Sequence, residues 1–170
     1  MCLFKKIPGY STRYTVSKSG IIRGPRGCLT SFENEKEYLC VNVTDLFGNR
    51  VKRKVHRLVA LAWLDNPNPD ILVYVDHIDR NKSNCHVDNL RWIDESGNSL
   101  NNDQKGCYKS TNKAKPYRAR VTLNKQHIEL GYFKSEHEAS HVAKEVRECL
   151  LNIYLRALYY AEDGRSSSFC

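Results

Sequence analysis

The longest uninterrupted apolar run in this chain, Leu58 to Leu64, is only seven residues long and is stopped by Asn66-Pro67-Asn68-Pro69. Proline cannot continue a helix, and it pushes the residue before it to extended backbone. HRLVALAWL (56–64) is therefore expected to be a short core helix. It falls far below the ~20 apolar residues that span a bilayer. Turn signals interrupt the rest of the chain as often, so the fold must be assembled from short elements. A chain of 170 residues built that way is expected to form several small modules with thin cores.

Before the helix, FKKIPGYSTRYTVSKSGIIRG (4–24) reads as short strands joined by turns, with Gly24-Pro25-Arg26-Gly27 an irregular loop. YLCVNVTDLFGNRVKRKV (38–55) reads as a hairpin, with Leu39, Val41 and Val43 on one side and a turn at Phe47-Gly48-Asn49. Its return strand carries Arg50, Lys52, Arg53 and Lys54. Such a strand is either a solvated edge protected by charge or a row of phosphate contacts. His56, at the helix start, reads as structural before catalytic.

After the helix, Ile71–Val75 is expected to be a strand, 78–88 a polar loop and Leu90–Ile93 a second strand. Asp94 can cap a helix running to about Asp103, with Asn98, Asn101 and Asn102 on one face. YRARVTL (117–123) alternates as a strand, Asn124-Lys125-Gln126 turns, and HIELGYF (127–133) returns with Ile128 and Leu130 toward the core. Ser135 and Glu138 form a capping box. The helix it opens carries an apolar stripe of Ala139, Val142, Ala143, Val146, Leu150 and Ile153 and reaches about Tyr160. The final AEDGRSSSFC reads as a frayed tail.

Lys plus Arg is 27 against 19 Asp plus Glu, a net charge of +8. The balance is uneven: residues 1–66 are net +7, 67–105 net −3 and 106–170 net +4. Basic flanks favour a polyanionic partner, nucleic acid before membrane. An acidic centre between them fits a nuclease, whose carboxylates must hold a cation against the phosphate backbone. The seven cysteines form no C-x2-C or C-x4-C pair, so a zinc ribbon is not expected. MCLFKKIPGY lacks the apolar core of a signal peptide, and the expected location is the cytoplasm.

The chemistry concentrates in VDHIDRNKSNCHVDNLRW (75–92). Asp76 and His77 end a strand side by side. Strand periodicity sends them to opposite faces, so a bend or bulge is expected if both serve one site. A hard cation such as Mg2+ is satisfied by one carboxylate, one amide oxygen and waters. A histidine near its ordinary pKa can take a proton from water, provided an acceptor such as a backbone carbonyl or Asn89 fixes its other nitrogen. Taken singly, an Asp-His pair or an asparagine-rich loop is weak; the ordered set is stronger.

That set, followed by Asn98, closely resembles the HNH endonucleases of phage and intron-encoded homing type, in the variant whose final histidine is asparagine. FKKIPGYSTRYTVSKSGIIR resembles the nuclease-associated modular domain at the start of such enzymes. GCYKSTNKAKPYRARVTLNKQHIELGYFKSEHEAS resembles the Apetala-two type DNA-binding domain. The matches cover roughly residues 4–150. Phe4 and Tyr117 stand where those two domains usually have tryptophan, and residues beyond about 150 match nothing.

The resemblance implies an α+β chain with a central ββα-metal nuclease unit and a C-terminal three-stranded sheet packed on one helix. It divides the chain into 1–48 (N-terminal module), 49–105 (nuclease), 106–160 (DNA-binding domain) and 161–170 (flexible tail). His77 is then the general base, and Asp76 and Asn98 hold one Mg2+ or Mn2+ per active site. Asn89, grouped with the catalytic residues, ties the loop. Asp79, Asn81 and Asn84 shape the loop, while Cys85 and His86 are expected to be exposed and not ligands. Arg91 contacts the scissile phosphate or pairs with Asp88 or Asp94. Arg53, Lys54, Lys109, Arg118, Arg120 and Lys125 complete the DNA contacts. The implied protein is a monomer acting on double-stranded DNA in a bacterial or phage-infected cell, with neither zinc nor membrane. Two rivals are a non-catalytic DNA-binding derivative of such a nuclease, and a purely structural pairing of Asp76 and His77 with Arg91.

Overall fold

The computed structural model describes residues 3–11, 13–102 and 105–163, with side chains described as far as Leu158. The chain separates into two compact units, 1–94 and 95–170. It is a mixed α+β protein.

In the first unit, β1 (Phe4–Lys6), β2 (Thr15–Ser17), β3 (Ile22–Gly24) and β4 (Gly27–Cys28) form an antiparallel meander in chain order. A second sheet follows, with β5 (Phe32–Glu33), β6 (Leu39–Thr44) and β7 (Arg50–Lys54) also antiparallel in chain order. Asp45 makes the β6–β7 turn: its Oδ1 accepts from the N–H groups of Phe47 and Asn49, both at 2.9 Å. Gly48 supplies the left-handed residue there, φ +88°. The boundary expected at 48/49 falls in this turn, between strands paired in unbroken register.

Helix α1 (Val55–Trp63) follows β7 without a loop and ends near the prolines, as its sequence requires. Val55, His56, Leu58, Val59 and Ala60 are buried. Leu58 and Val59 alone contribute about 1.5–3 kcal/mol each by burial. Around them packs one continuous core: Ile7, Tyr14, Val16 and Ile22 from the meander, Val41 and Val43 from β6, and Val75, Cys85, Val87 and Leu90 from the segment after α1. Polar ties cross it too. Trp63 Nε1 donates to the Val16 carbonyl (3.0 Å), and the Val87 N–H to the Lys18 carbonyl (2.8 Å). The first 94 residues thus share a core, where separate thin cores were expected. Short strands cannot bury their own apolar faces, so the meander and the helix bury each other's.

Strands β8 (Tyr74–His77) and β9 (Leu90–Ile93) complete the unit as an antiparallel pair. β8 starts three residues later than the expected strand. Asn68 explains the shift, because its carbonyl accepts from the N–H groups of both Ile71 and Leu72 and holds them in a turn.

The second unit begins with α2 (Glu95–Leu100), which ends before Asn101 and Asn102. Part of the expected helix is therefore a turn; Asp103, its expected end, lies outside the described residues. β10 (Cys107–Lys109), β11 (Tyr117–Leu123) and β12 (Gln126–Phe133) form an antiparallel sheet in chain order. Leu123 pairs with Gln126, so the hairpin loop is only Asn124-Lys125, both at positive φ, 50° and 64°. That is the two-residue turn whose twist matches the strands.

Helix α3 (Glu136–Asp163) starts where Ser135 Oγ accepts from the Glu138 N–H at 3.1 Å. It buries Ala139, Ala143, Arg147 and Leu151, while Ile153 is 59% exposed. The buried face runs in steps of four and turns away from the expected stripe at its end. Ile128 is exposed as well, although it pairs with the buried Val121. Gly106, φ +62°, lies so near α3 that a Cβ there would sit 2.5 Å from that of Ala143. The helix continues through Asp163, and the remainder of the expected tail, 164–170, lies outside the described residues.

Candidate active site at the end of β8

The register from Tyr74↔Ile93 to His77↔Leu90 is unbroken, so the bend expected between Asp76 and His77 is not present. Adjacent strand residues point to opposite faces, and these two meet different neighbours. Asp76 lies directly opposite Arg91. Arg91 Nε and Nη2 both reach its Oδ2, at 2.8 and 2.7 Å. The carboxylate side chain is 9% exposed and the guanidinium 13%, so this is a buried ion pair. Arg91 is thereby paired with Asp76, the partner named by the structural rival; Asp88 and Asp94 were the partners weighed against a phosphate contact.

His77 is buried in a small aromatic cluster. Its ring centroid is 4.6 Å from that of His56, edge to face, and 6.0 Å from Tyr38. Lys54, read as a phosphate contact, sits over Tyr38 at 3.7 Å. Desolvation lowers the His77 pKa against the opposing pull of Asp76 and Asp79. His56 is displaced further, to about 3, first by desolvation and then by His77, Lys54 and Arg57. Both imidazoles are therefore neutral at neutral pH. His56 Nδ1 is buried with no hydrogen-bond partner, which costs about 1–3 kcal/mol.

Cys85 completes the cluster. It is buried, not exposed as its sequence position implied, since the loop folds back and Gly20 packs against it. Desolvation raises its thiol to about 11, against a hydrogen bond from the His56 backbone. One donor atom each from His56, His77 and Cys85 lies within 4.8 Å of the others. His86, by contrast, has its side chain 45% exposed and caps the short 3-10 turn Val87–Asn89 by accepting from the Asp88 N–H.

The polar loop is ordered by its own side chains. Asn89 Nδ2 donates to Asp79 Oδ1 (2.8 Å) and to the Asn84 carbonyl (2.9 Å), and its Oδ1 accepts from the Asp79 N–H (3.0 Å). Those bonds tie the Asn89 amide to the loop. Asp79 also accepts from the Asn81 N–H and from Asn84 Nδ2, each at 2.8 Å. Desolvation opposes ionisation of Asp79, but the hydrogen bonds from Asn84, Asn89 and Asn81 outweigh it and lower its pKa.

Acid should weaken this unit through His56. Its folded pKa is depressed, so the unfolded chain takes up the proton first as pH falls below 6.5. Full stability is present above pH 6.5 and is expected to fall by up to about 1.4 kcal/mol per pH unit toward pH 3. Urea midpoints measured across that range with chelator present should show this slope, and His56→Gln should flatten it.

The other expected contacts lie elsewhere. Arg53 is exposed on β7, with Nε donating to Tyr10 Oη at 2.8 Å. In the second unit, Asn98 is exposed on α2 and Lys109 on β10. Asn101 is buried, so the three asparagines do not share an open face. Arg118 pairs with Glu129 at 3.4 Å, Arg120 lies over Tyr108 at 4.4 Å, and Lys125 pairs with Glu95 at 3.4 Å. Among the described residues no helix is long and apolar enough to cross a membrane.

No family model matches the chain. An uncharacterized HNH endonuclease of Acanthamoeba polyphaga mimivirus is 32% identical over 94 residues, which are 53% of this chain and 27% of that protein. A second uncharacterized HNH endonuclease of the same virus is 30% identical over 99 residues, 56% of this chain and 25% of its own length. The chain spans about a quarter of the length of these relatives. Among solved structures, the HNH homing endonuclease I-HmuI is 29% identical, with 55% of this chain and 53% of that chain covered and a TM-score of 0.49. Over about half its length, this chain is similar in sequence to HNH endonucleases.

Proposed function

We propose that the protein is a Mg2+- or Mn2+-dependent endonuclease of double-stranded DNA, acting as a monomer with one cation per active site. The observation that carries this reading is a neutral imidazole, His77, next in the chain to Asp76 at the end of β8 and followed by a loop fixed by Asn89. The sequence similarity to proteins named HNH endonucleases supports it.

A carboxylate is the donor that a hard cation prefers, and Asp76 supplies one, which an ion would take over from Arg91. Asp76 and Asn98 would hold the ion. Bound there, it supplies positive charge against the phosphate and the departing 3′ oxygen. His77 takes the proton of the attacking water as the new O–P bond forms. The P–O3′ bond breaks and the departing oxygen takes a proton from solvent, leaving 5′-phosphate and 3′-hydroxyl ends. Asn89 holds the loop that carries the strand end. Arg53, Lys54, Lys109, Arg118, Arg120 and Lys125 position DNA by phosphate contact, which is salt-sensitive.

One observation favours a second reading, DNA binding without cleavage: Asp76 is already neutralised by Arg91. Supercoiled plasmid carrying the DNA that flanks the gene separates the two. Nicked or linear product with Mg2+ and none with EDTA is the expected result. Retarded mobility of that DNA on a gel, with every plasmid left intact, would establish the second reading.

A further inference from the structure

We propose that His56, His77 and Cys85 form a binding site for a borderline-soft transition cation of the Zn2+ class, chemically separate from the hard-cation site at Asp76. The three residues come from the start of α1, the end of β8 and the close of the polar loop, and they converge only in the folded unit. Each is buried, at 3%, 5% and 4% exposure respectively. One ligand atom from each lies within 4.8 Å of the other two. Around a tetrahedral zinc, with bonds of about 2.0–2.1 Å to nitrogen and 2.3 Å to sulfur, such donors stand roughly 3.3–3.6 Å apart. Closing the triad therefore takes movements on the order of an ångström, within reach of side-chain rotation.

A packed core could also hold two histidines and a cysteine without a metal. Against that stands His56 Nδ1, buried with no hydrogen-bond partner. Buried polar atoms almost always have one, and a cation would supply it. Imidazole and thiolate select zinc-class cations over magnesium, which prefers oxygen. Three protein ligands leave the fourth position to water or another small donor. As the Cys85 sulfur binds, its proton leaves to solvent. Lys54, Arg57 and Lys82 oppose a cation here, whereas Asp76 and Asp79 and the new thiolate favour it. Cysteine spacing pointed away from zinc because it reports only ligands close together in sequence.

Zinc bound here takes the His77 imidazole out of proton transfer, so the zinc-loaded form should not cut DNA; this consequence alone rests on the nuclease reading. The test is titration of the metal-stripped full chain with Co2+, followed by Zn2+. The expected result is one equivalent bound, with the absorption of a thiolate–cobalt bond and tetrahedral cobalt, bleached by Zn2+. Cys85→Ser should abolish the thiolate band and His56→Gln should weaken binding at least tenfold, with circular dichroism reporting the fold. X-ray absorption of the zinc-loaded wild type should show one sulfur and two imidazole nitrogens, a readout that needs no variant. No thiolate band in wild type, an unchanged band in Cys85→Ser, or a different first shell overturns the site. Adding Zn2+ to a Mg2+-supported plasmid reaction should stop cleavage, and undiminished cleavage by zinc-loaded protein overturns the inhibitory consequence. Because the cobalt spectrum needs no activity, it tests the metal site even in a protein that cuts nothing.

Discussion

Replacing His77 by glutamine is expected to slow DNA cleavage by about 10²–10⁴-fold, the usual contribution of a general base, while DNA binding persists. Glutamine is the informative replacement because His77 is 5% exposed and packs on His56 and Tyr38. Alanine would open a cavity, and a loss of activity could then report lost packing. Glutamine keeps most of the volume and a polar end but cannot accept the proton. Single-turnover cleavage, gel retardation and the melting temperature should be read on one preparation. Slow cleavage with intact binding and a small thermal shift supports the base assignment. Cleavage within tenfold of wild type, together with a large thermal shift, would assign His77 to packing instead.

Local chemistry makes part of this unit legible in the sequence. Leu90–Ile93 shows its strand directly, and the prolines after Leu64 mark the end of α1. Phe47-Gly48-Asn49 announces a turn, whose hydrogen bonds to Asp45 lie within five residues. Asn89 is legible as a tie because its partners, Asp79 and Asn84, are also close in the chain. The features that sequence does not report depend on distant segments. Cys85 is buried in the core that Val55 shares, with Gly20 packed against it, and no periodicity in a polar loop reports that. His56 gains its meaning from His77, twenty-one residues away. The Asp76–Arg91 pair is one option among several in the sequence, since strand register, which decides it, is a tertiary outcome. Ile153 leaves the buried face for a simpler reason: that face runs through Ala139, Ala143, Arg147 and Leu151 in steps of four, and Ile153 lies off it.

Arg91→Met should give the largest loss of stability of any single change in the first unit, about 3–5 kcal/mol, because it strands a buried carboxylate. Methionine retains the apolar bulk of the arginine stem, so the loss reports charge more than packing. Urea denaturation in EDTA measures it. Adding Asp76→Asn to Arg91→Met should recover much of the deficit, since the uncompensated charge is then gone. Cation binding can be read in the same series. If Asp76 holds a divalent cation, Mg2+ added to Arg91→Met should raise the denaturation midpoint by linkage, as the ion takes over the role of the guanidinium. The double variant should not respond to Mg2+. An Arg91→Met protein equally stable with Mg2+ and with EDTA would mean that Asp76 serves the ion pair alone, and the hard-cation site would have to be sought among other carboxylates of the acidic centre.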